Sequence, residues 1–118
     1  MLMLRTFWDA ALELDSTAPD EGRVMALCSE DELAALWTRN HLAEVETGSI
    51  DVSVGYTDFD DYWIPFTLGV GPGGAYCTSL DPERQGELRE RCFRRLGSPN
   101  GPFTLPARAF AVRGRKAA

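Results

Sequence analysis

Gly69, Gly71 and Gly74 stand in a G-x-G-x-x-G spacing, with which a backbone loop can approach a phosphate. Around them lie Phe59, Tyr62, Trp63, Phe66 and Tyr76, and two carboxylates, Asp60 and Asp61, sit at the entrance. The stretch Asp58–Leu80 therefore has three readings: a nucleotide cradle, an aromatic lid over a substrate, or a loop. Other chemistry is sparse. His41 is the one histidine, and no Ser, Cys or carboxylate is spaced to make a triad with it, so it reads as a helix-terminal residue. Cys28, Cys77 and Cys92 are an odd, scattered set with no C-x-x-C pair, and one histidine cannot complete a zinc site with them. No catalytic, cofactor-binding or metal-ligating residue stands out.

The totals exclude several classes of function. A chain of 118 residues is one domain at most and buries roughly two-thirds of its unfolded surface, enough for one modest core. A net charge of −6 argues against nucleic-acid or anionic-membrane partners, which call for a basic surface. Arg84, Arg89, Arg91, Arg94, Arg95, Arg113, Arg115 and Lys116 gather late in the chain and read as a solvated helix face and a charged tail. No stretch approaches the roughly 20 apolar residues that span a bilayer. The N-terminus carries Asp9 and Glu13 and is not a signal peptide. With the cysteines read as reduced thiols, the expected location is cytoplasmic.

The elements that must position the aromatic stretch follow from periodicity. Leu4, Phe7, Trp8, Ala11 and Leu12 form one apolar stripe of a helix that Asp15, Ser16 and Pro19 end. Val24–Leu27 is a strand stub or an extended lead-in. Ser29 and Glu32 form a capping box for a second helix running to Asn40, which can take the left-handed conformation of a helix stop. Residues 43–54 alternate apolar and polar as a half-buried strand, with Ile50, Val52 and Val54 inward. Their phase changes midway, and a bulge at Gly48-Ser49 would restore a common face. Beyond the insert at 55–80, Asp81 and Pro82 start a third helix with Leu88, Cys92 and Leu96 as its buried stripe. Gly97 stops it, and a last strand runs from Phe103 to Arg113. There Leu105, Ala107, Ala109 and Ala111 line one face while Phe110 and Val112 line the other, and Pro106 limits pairing on one side.

FWDAALELD at 7–15, FDDYWIPF at 59–66, GPGGAYCTSLDPERQGELRERCFRRL at 71–96 and ARAFAVRG at 107–114 occur in this order. Together they resemble the C-terminal half of a class I S-adenosylmethionine-dependent methyltransferase of the group related to ubiquinone and menaquinone biosynthesis. The resemblance implies an α/β fold, which in this chain taken alone would be α+β. The chain would be the C-terminal part of a doubly wound seven-stranded sheet, with 43–54 and 103–113 as its antiparallel last pair. The last strand would lie between the fifth and sixth, and the fifth would lie just upstream of Met1. In that family the first half of the domain builds the cofactor site, with a glycine-rich loop after strand one and an acid ending strand two. Neither is present here, so no residue is carried over for the cofactor, and none is expected to bind to this chain alone.

The resemblance also decides among the three readings of the glycine stretch. A dinucleotide fingerprint follows a strand and opens a helix, whereas Asp60, Asp61 and Pro65 precede these glycines and Pro72 interrupts them. The insert is expected to be lid-like, with Tyr62, Trp63, Phe66 and Tyr76 helping to form an apolar wall around a small-molecule acceptor; the alternative, favoured for each residue singly, is that Trp63 and Phe66 just pin the insert to the domain. Asp60 and Asp61 can assist proton removal or simply begin a helix, and methyl transfer depends mainly on in-line positioning. Three functions compete: a catalytically incompetent methyltransferase fragment, a non-enzymatic α+β ligand-binding or dimerisation module, and a half-enzyme active with an N-terminal polypeptide. A missing fifth strand would leave Ala107–Arg113 as an open edge. The expected partners are therefore a second copy, through that edge or the 4–12 helix, or an N-terminal half.

Overall fold

A computed structural model describes residues 2–117, which form five α-helices and one two-stranded antiparallel sheet in an α+β arrangement. The helices are α1 (Leu2–Leu14), α2 (Glu30–Arg39), α3 (Phe59–Thr67), α4 (Gly71–Ser79) and α5 (Pro82–Arg95). The strands are β1 (Leu42–Tyr56) and β2 (Phe103–Lys116). Helices α1, α3, α4 and α5 make a body with an aromatic core, and the sheet projects from it as a long ribbon. The molecule measures 60 × 31 × 21 Å, and its radius of gyration of 17.8 Å exceeds the roughly 13–14 Å of a compact chain of this length.

The apolar stripe of α1 is spent inside the chain. Phe7, Trp8 and Ala11 are buried and Leu4 and Leu12 half-buried. Arg5 on the polar side bonds Asp9 and reaches Asp20, whose carboxylate also accepts from the Gly22 N–H. A single 3-10 turn, Glu21–Arg23, follows, and Trp8 Nε1 donates to Glu21 Oε1 at 3.1 Å. Val24, Met25 and Leu27 are exposed and form no strand; Val24 has a helical backbone and Leu27 is left-handed at φ 62°, so the segment is an irregular connection, neither the strand stub nor the extended lead-in.

Both caps of α2 differ in detail from the sequence reading. Ser29 accepts from the Glu32 N–H as expected, but the Glu32 carboxylate takes the Leu27 N–H instead of closing the box on Ser29. Asn40 keeps φ at −92° and caps with its side-chain amide on the Leu36 carbonyl, and His41 takes the left-handed turn at φ 64°.

The phase change in β1 is real, but its cause lies earlier than Gly48-Ser49. Gly48 and Ser49 pair in register with Ala111 and Phe110, and the irregularity falls between Ala43 and Glu46, where Glu44 is left-handed at φ 52°. From Glu46 the register is continuous to Tyr56 opposite Phe103. Ile50, Val52 and Val54 thus share a face with Ala109, Ala107 and Leu105. That face is covered only near the body, where Leu105 is buried; Ile50 and Val52 are 61% and 56% exposed. The inward face expected for this strand is therefore open over most of its length. The helical body reaches only one end of the ribbon, and α2 packs beside it.

Candidate functional site

The insert at 55–80 is a pair of helices at the centre of the core. Asp58 starts α3 by accepting the Asp61 N–H at 2.9 Å, and the Asp61 carboxylate returns to the Thr57 N–H at 3.0 Å. Asp60 reaches Arg89 of α5 at 2.9 Å, and the same guanidinium lies 4.9 Å from the Phe59 ring centroid. Both carboxylates thus have structural partners at the helix entrance.

Phe59, Tyr62, Trp63 and Phe66 are spaced i, i+3, i+4, i+7, so α3 turns all four toward one side. All four are buried. Phe66 stacks on Phe7 of α1 with centroids 4.2 Å apart and planes at 13°. The Tyr62 hydroxyl donates to the Met3 carbonyl at 2.9 Å, and burial raises its pKa above the ordinary phenol value. Phe59 meets Phe93 of α5 edge-on at 5.1 Å. Each such ring removes 150–250 Å² of surface from water, so these residues dominate the core energetics.

The three glycines join α3 to α4. Gly69 and Gly71 have φ of 75° and 71°, in the left-handed region that a side chain resists. A Cβ on Gly74 would lie 2.8 Å from the Gly69 carbonyl carbon, so the first turns of α4 press directly on the connection. A Cβ on Gly73 would touch the Phe66 and Phe7 rings. The spacing is thus a helix–helix packing device. The helix α3 leads directly into it, where the nucleotide fingerprint requires a strand.

Tyr76 is separated from the other three aromatics of the expected wall. It is half-buried and lines a cleft of about 330 Å³ with Leu14, Asp15, Asp81, Arg84 and Glu87. Its hydroxyl donates to Asp15 Oδ2 at 3.4 Å. Asp15 is held below the usual carboxylate range, first by the Thr17 hydroxyl and then by the Thr17 N–H. Burial raises the Tyr76 phenol, helped by the Asp15 charge. The cleft holds neutral Tyr76 beside ionised Asp15.

The insert's outward surface is made by residues that the wall reading passed over. Ile64 and Leu68, at i and i+4 off the buried stripe, are 51% and 70% exposed, and Val70 in the turn is more exposed still. The signal was the helical spacing itself: a buried stripe through 59, 62, 63 and 66 leaves 64 and 68 outside. Cys77 and Cys92 are buried, and burial pushes the Cys92 thiol up to about 12. His41 is exposed at the α2–β1 junction. Among the described residues no group of three His, Cys, Asp or Glu side chains is placed to hold a metal ion. None of their helices is long and apolar enough to cross a membrane. The class reached by fold and site is an α+β chain with a helical aromatic core and an uncovered two-stranded ribbon. No protein-family model, curated protein or solved structure matches it.

Proposed function

We propose that this chain is the C-terminal part of an S-adenosylmethionine-dependent methyltransferase domain, contributing a sheet edge and an insert that covers the methyl acceptor. The observation that carries the reading is the ribbon. One face is apolar and open, with Ile50 and Val52 exposed, while Phe110 and Val112 lie on the other among Ser49, Asp51, Ser53 and Arg108, and neither strand has a second neighbour among the described residues. An apolar sheet face is ordinarily packed on a core, and an isolated two-stranded sheet is marginal in water. In this reading β2 receives the fifth strand on its open side, and helices of the first half cover the exposed faces.

S-adenosylmethionine would be held by that first half. The Gly69–Gly74 turn is occupied in joining α3 to α4, and no residue of this chain is assigned to the cofactor. What this chain offers the acceptor is the apolar tip Ile64, Leu68 and Val70, supported from beneath by Tyr62, Trp63 and Phe66, with Tyr76 in the neighbouring cleft. Its part in the reaction is to position the acceptor and exclude water.

Calorimetric titration tests this. The chain alone should show no micromolar affinity for S-adenosylmethionine, and the complex co-expressed with the polypeptide encoded directly upstream should bind it. Micromolar binding by the chain alone, or a co-expressed pair that neither associates nor binds, overturns the proposal. A chain that binds no S-adenosylmethionine in either form but associates with itself is a dimerisation module, the reading favoured by the exposed Phe110 edge.

A further inference from the structure

The chain has two asparagines, Asn40 and Asn100, and the fold treats them oppositely. At Asn40 both groups that could react with each other are engaged. Its side-chain amide donates to the Leu36 carbonyl at 2.8 Å, and the next N–H, that of His41, donates to the Thr38 carbonyl at 3.1 Å. Asn100 is exposed in the connection from α5 to β2, which forms neither helix nor strand and whose Pro99 and Pro102 have no N–H. The last backbone hydrogen bond before β2, from the Ser98 N–H to the Phe93 carbonyl at 3.0 Å, closes α5. Among the described residues no hydrogen bond engages the Asn100 amide or the Gly101 N–H.

Gly101 removes the remaining obstacle. Attack by a backbone nitrogen on the preceding side chain needs a close approach, which a Cβ on the attacking residue hinders and glycine permits. We infer that Asn100 is a self-modification site, at which the Gly101 nitrogen converts the asparagine to aspartate and isoaspartate without an enzyme. The Gly101 nitrogen gives its proton to solvent base and attacks Asn100 Cγ. The new C–N bond closes a cyclic imide, the Cγ–Nδ2 bond breaks, and ammonia leaves with the proton returned to it. Water then opens the ring. Opening at Cγ gives aspartate in an unaltered backbone. Opening at the main-chain carbonyl of residue 100 gives isoaspartate, whose chain runs through Cβ and Cγ. Nothing is oxidised or reduced, and water is the only co-reactant.

Either product adds a carboxylate to a chain already at −6. The isoaspartyl product also lengthens the connection by a methylene just before Phe103, which pairs with Tyr56 in the rung of the ribbon nearest the body and stacks on its ring at 5.1 Å. The modification therefore falls where the helical body meets the sheet. This chemistry is independent of whether the chain belongs to a methyltransferase.

Peptide mapping by mass spectrometry of the full chain, aged at pH 8, tests this. The peptide carrying Asn100 should lose its amide and split into aspartyl and isoaspartyl forms, while the Asn40 peptide stays intact. Ageing in urea separates the fold from the sequence. Asn100 should convert at its native rate there, and Asn40 should begin to convert once its two hydrogen bonds are gone. A Cβ at Gly101 would meet nothing within 4 Å, so Gly101→Ala leaves the fold intact and should slow conversion about tenfold or more by obstructing the attack. Ageing at pH 5 should slow it as well, because the attacking nitrogen must first lose its proton. A folded chain whose Asn100 stays amidated overturns the inference. So does conversion indifferent to Gly101→Ala, or a folded chain that loses the Asn40 amide first.

Discussion

Gly74 and Gly69 meet backbone to backbone: a methyl group on Gly74 would lie 2.8 Å from the Gly69 carbonyl carbon and 3.1 Å from its Cα. Neither neighbour is the flexible end of a side chain, so the contact has no cheap relief. Gly74→Ala should therefore destabilise the chain by about 1–3 kcal/mol through overpacking, read as a lower urea midpoint. Gly86 in α5 has nothing within 4 Å of its Cβ direction. There Gly86→Ala should stabilise by about 0.5–1 kcal/mol, because only the helix-propensity difference remains. Equal effects at the two positions would refute the packing account of the Gly69–Gly74 turn.

The stack of Phe66 on Phe7 makes Phe66 a core residue before it is anything else. Phe66→Ala should cost about 3–5 kcal/mol, enough to unfold a marginal domain, whereas Leu68→Ala on the exposed tip should leave the thermal midpoint nearly unchanged. Thermal denaturation followed by circular dichroism measures both. A stable, folded Phe66→Ala chain would mean that the ring faces a site and not the core.

Asp20 gives folding a dependence on acid pH. Its carboxylate is held below its ordinary value chiefly by the hydrogen bond from Arg5, and the Gly22 N–H adds to this. A depressed folded pKa contributes stability that is fully present above the unfolded value of about 3.9 and is lost as pH falls through the folded value. The urea midpoint should thus hold between pH 7 and 5 and fall below about pH 4. Asp20→Asn should cost about 1–3 kcal/mol at pH 7 by removing a charged hydrogen bond, and should flatten the acid limb. An acid limb of the same slope in both proteins would exclude Asp20 as its source.

Thiol reactivity separates the three cysteines. Cys28 is exposed, while Cys77 and Cys92 are buried and both thiols are raised by burial. Since only the thiolate attacks, Ellman's reagent should titrate one thiol per folded chain at pH 8 and three in denaturant. Rapid reaction of a second thiol in the folded chain would place Cys77 or Cys92 outside the core.

Much of this architecture was legible along the chain because it is local. Caps at Ser29 and Asp81, the stripe through Phe7, Trp8 and Ala11, and the extended stretches around 43–54 and 103–113 each follow from neighbours within a few residues, whereas the antiparallel pairing of those stretches was implied only by the family resemblance. The bulge was read too late in β1 because glycine is the usual residue for it. The chain instead places Glu44 in the left-handed region, next to the turn at His41. The lid expectation comes from the place of the insert between the last two strands of the resembled fold, whereas the i, i+3, i+4, i+7 spacing of Phe59, Tyr62, Trp63 and Phe66 is that of a helix with one buried face.

The sequence by itself determined the three helices outside the insert and the two long extended stretches, and it denied the glycines a strand to follow, since all of that rests on backbone conformation and short-range patterning. Only the tertiary structure decided what each apolar face meets. It turned Tyr62 and Phe66 onto α1, buried Trp63 in the same core, and left Ile64, Leu68 and Ile50 in the open. The physical reason is that the hydrophobic effect is non-directional. A pattern reports that a face is to be buried, but its partner is fixed by which surfaces the folded chain brings within reach.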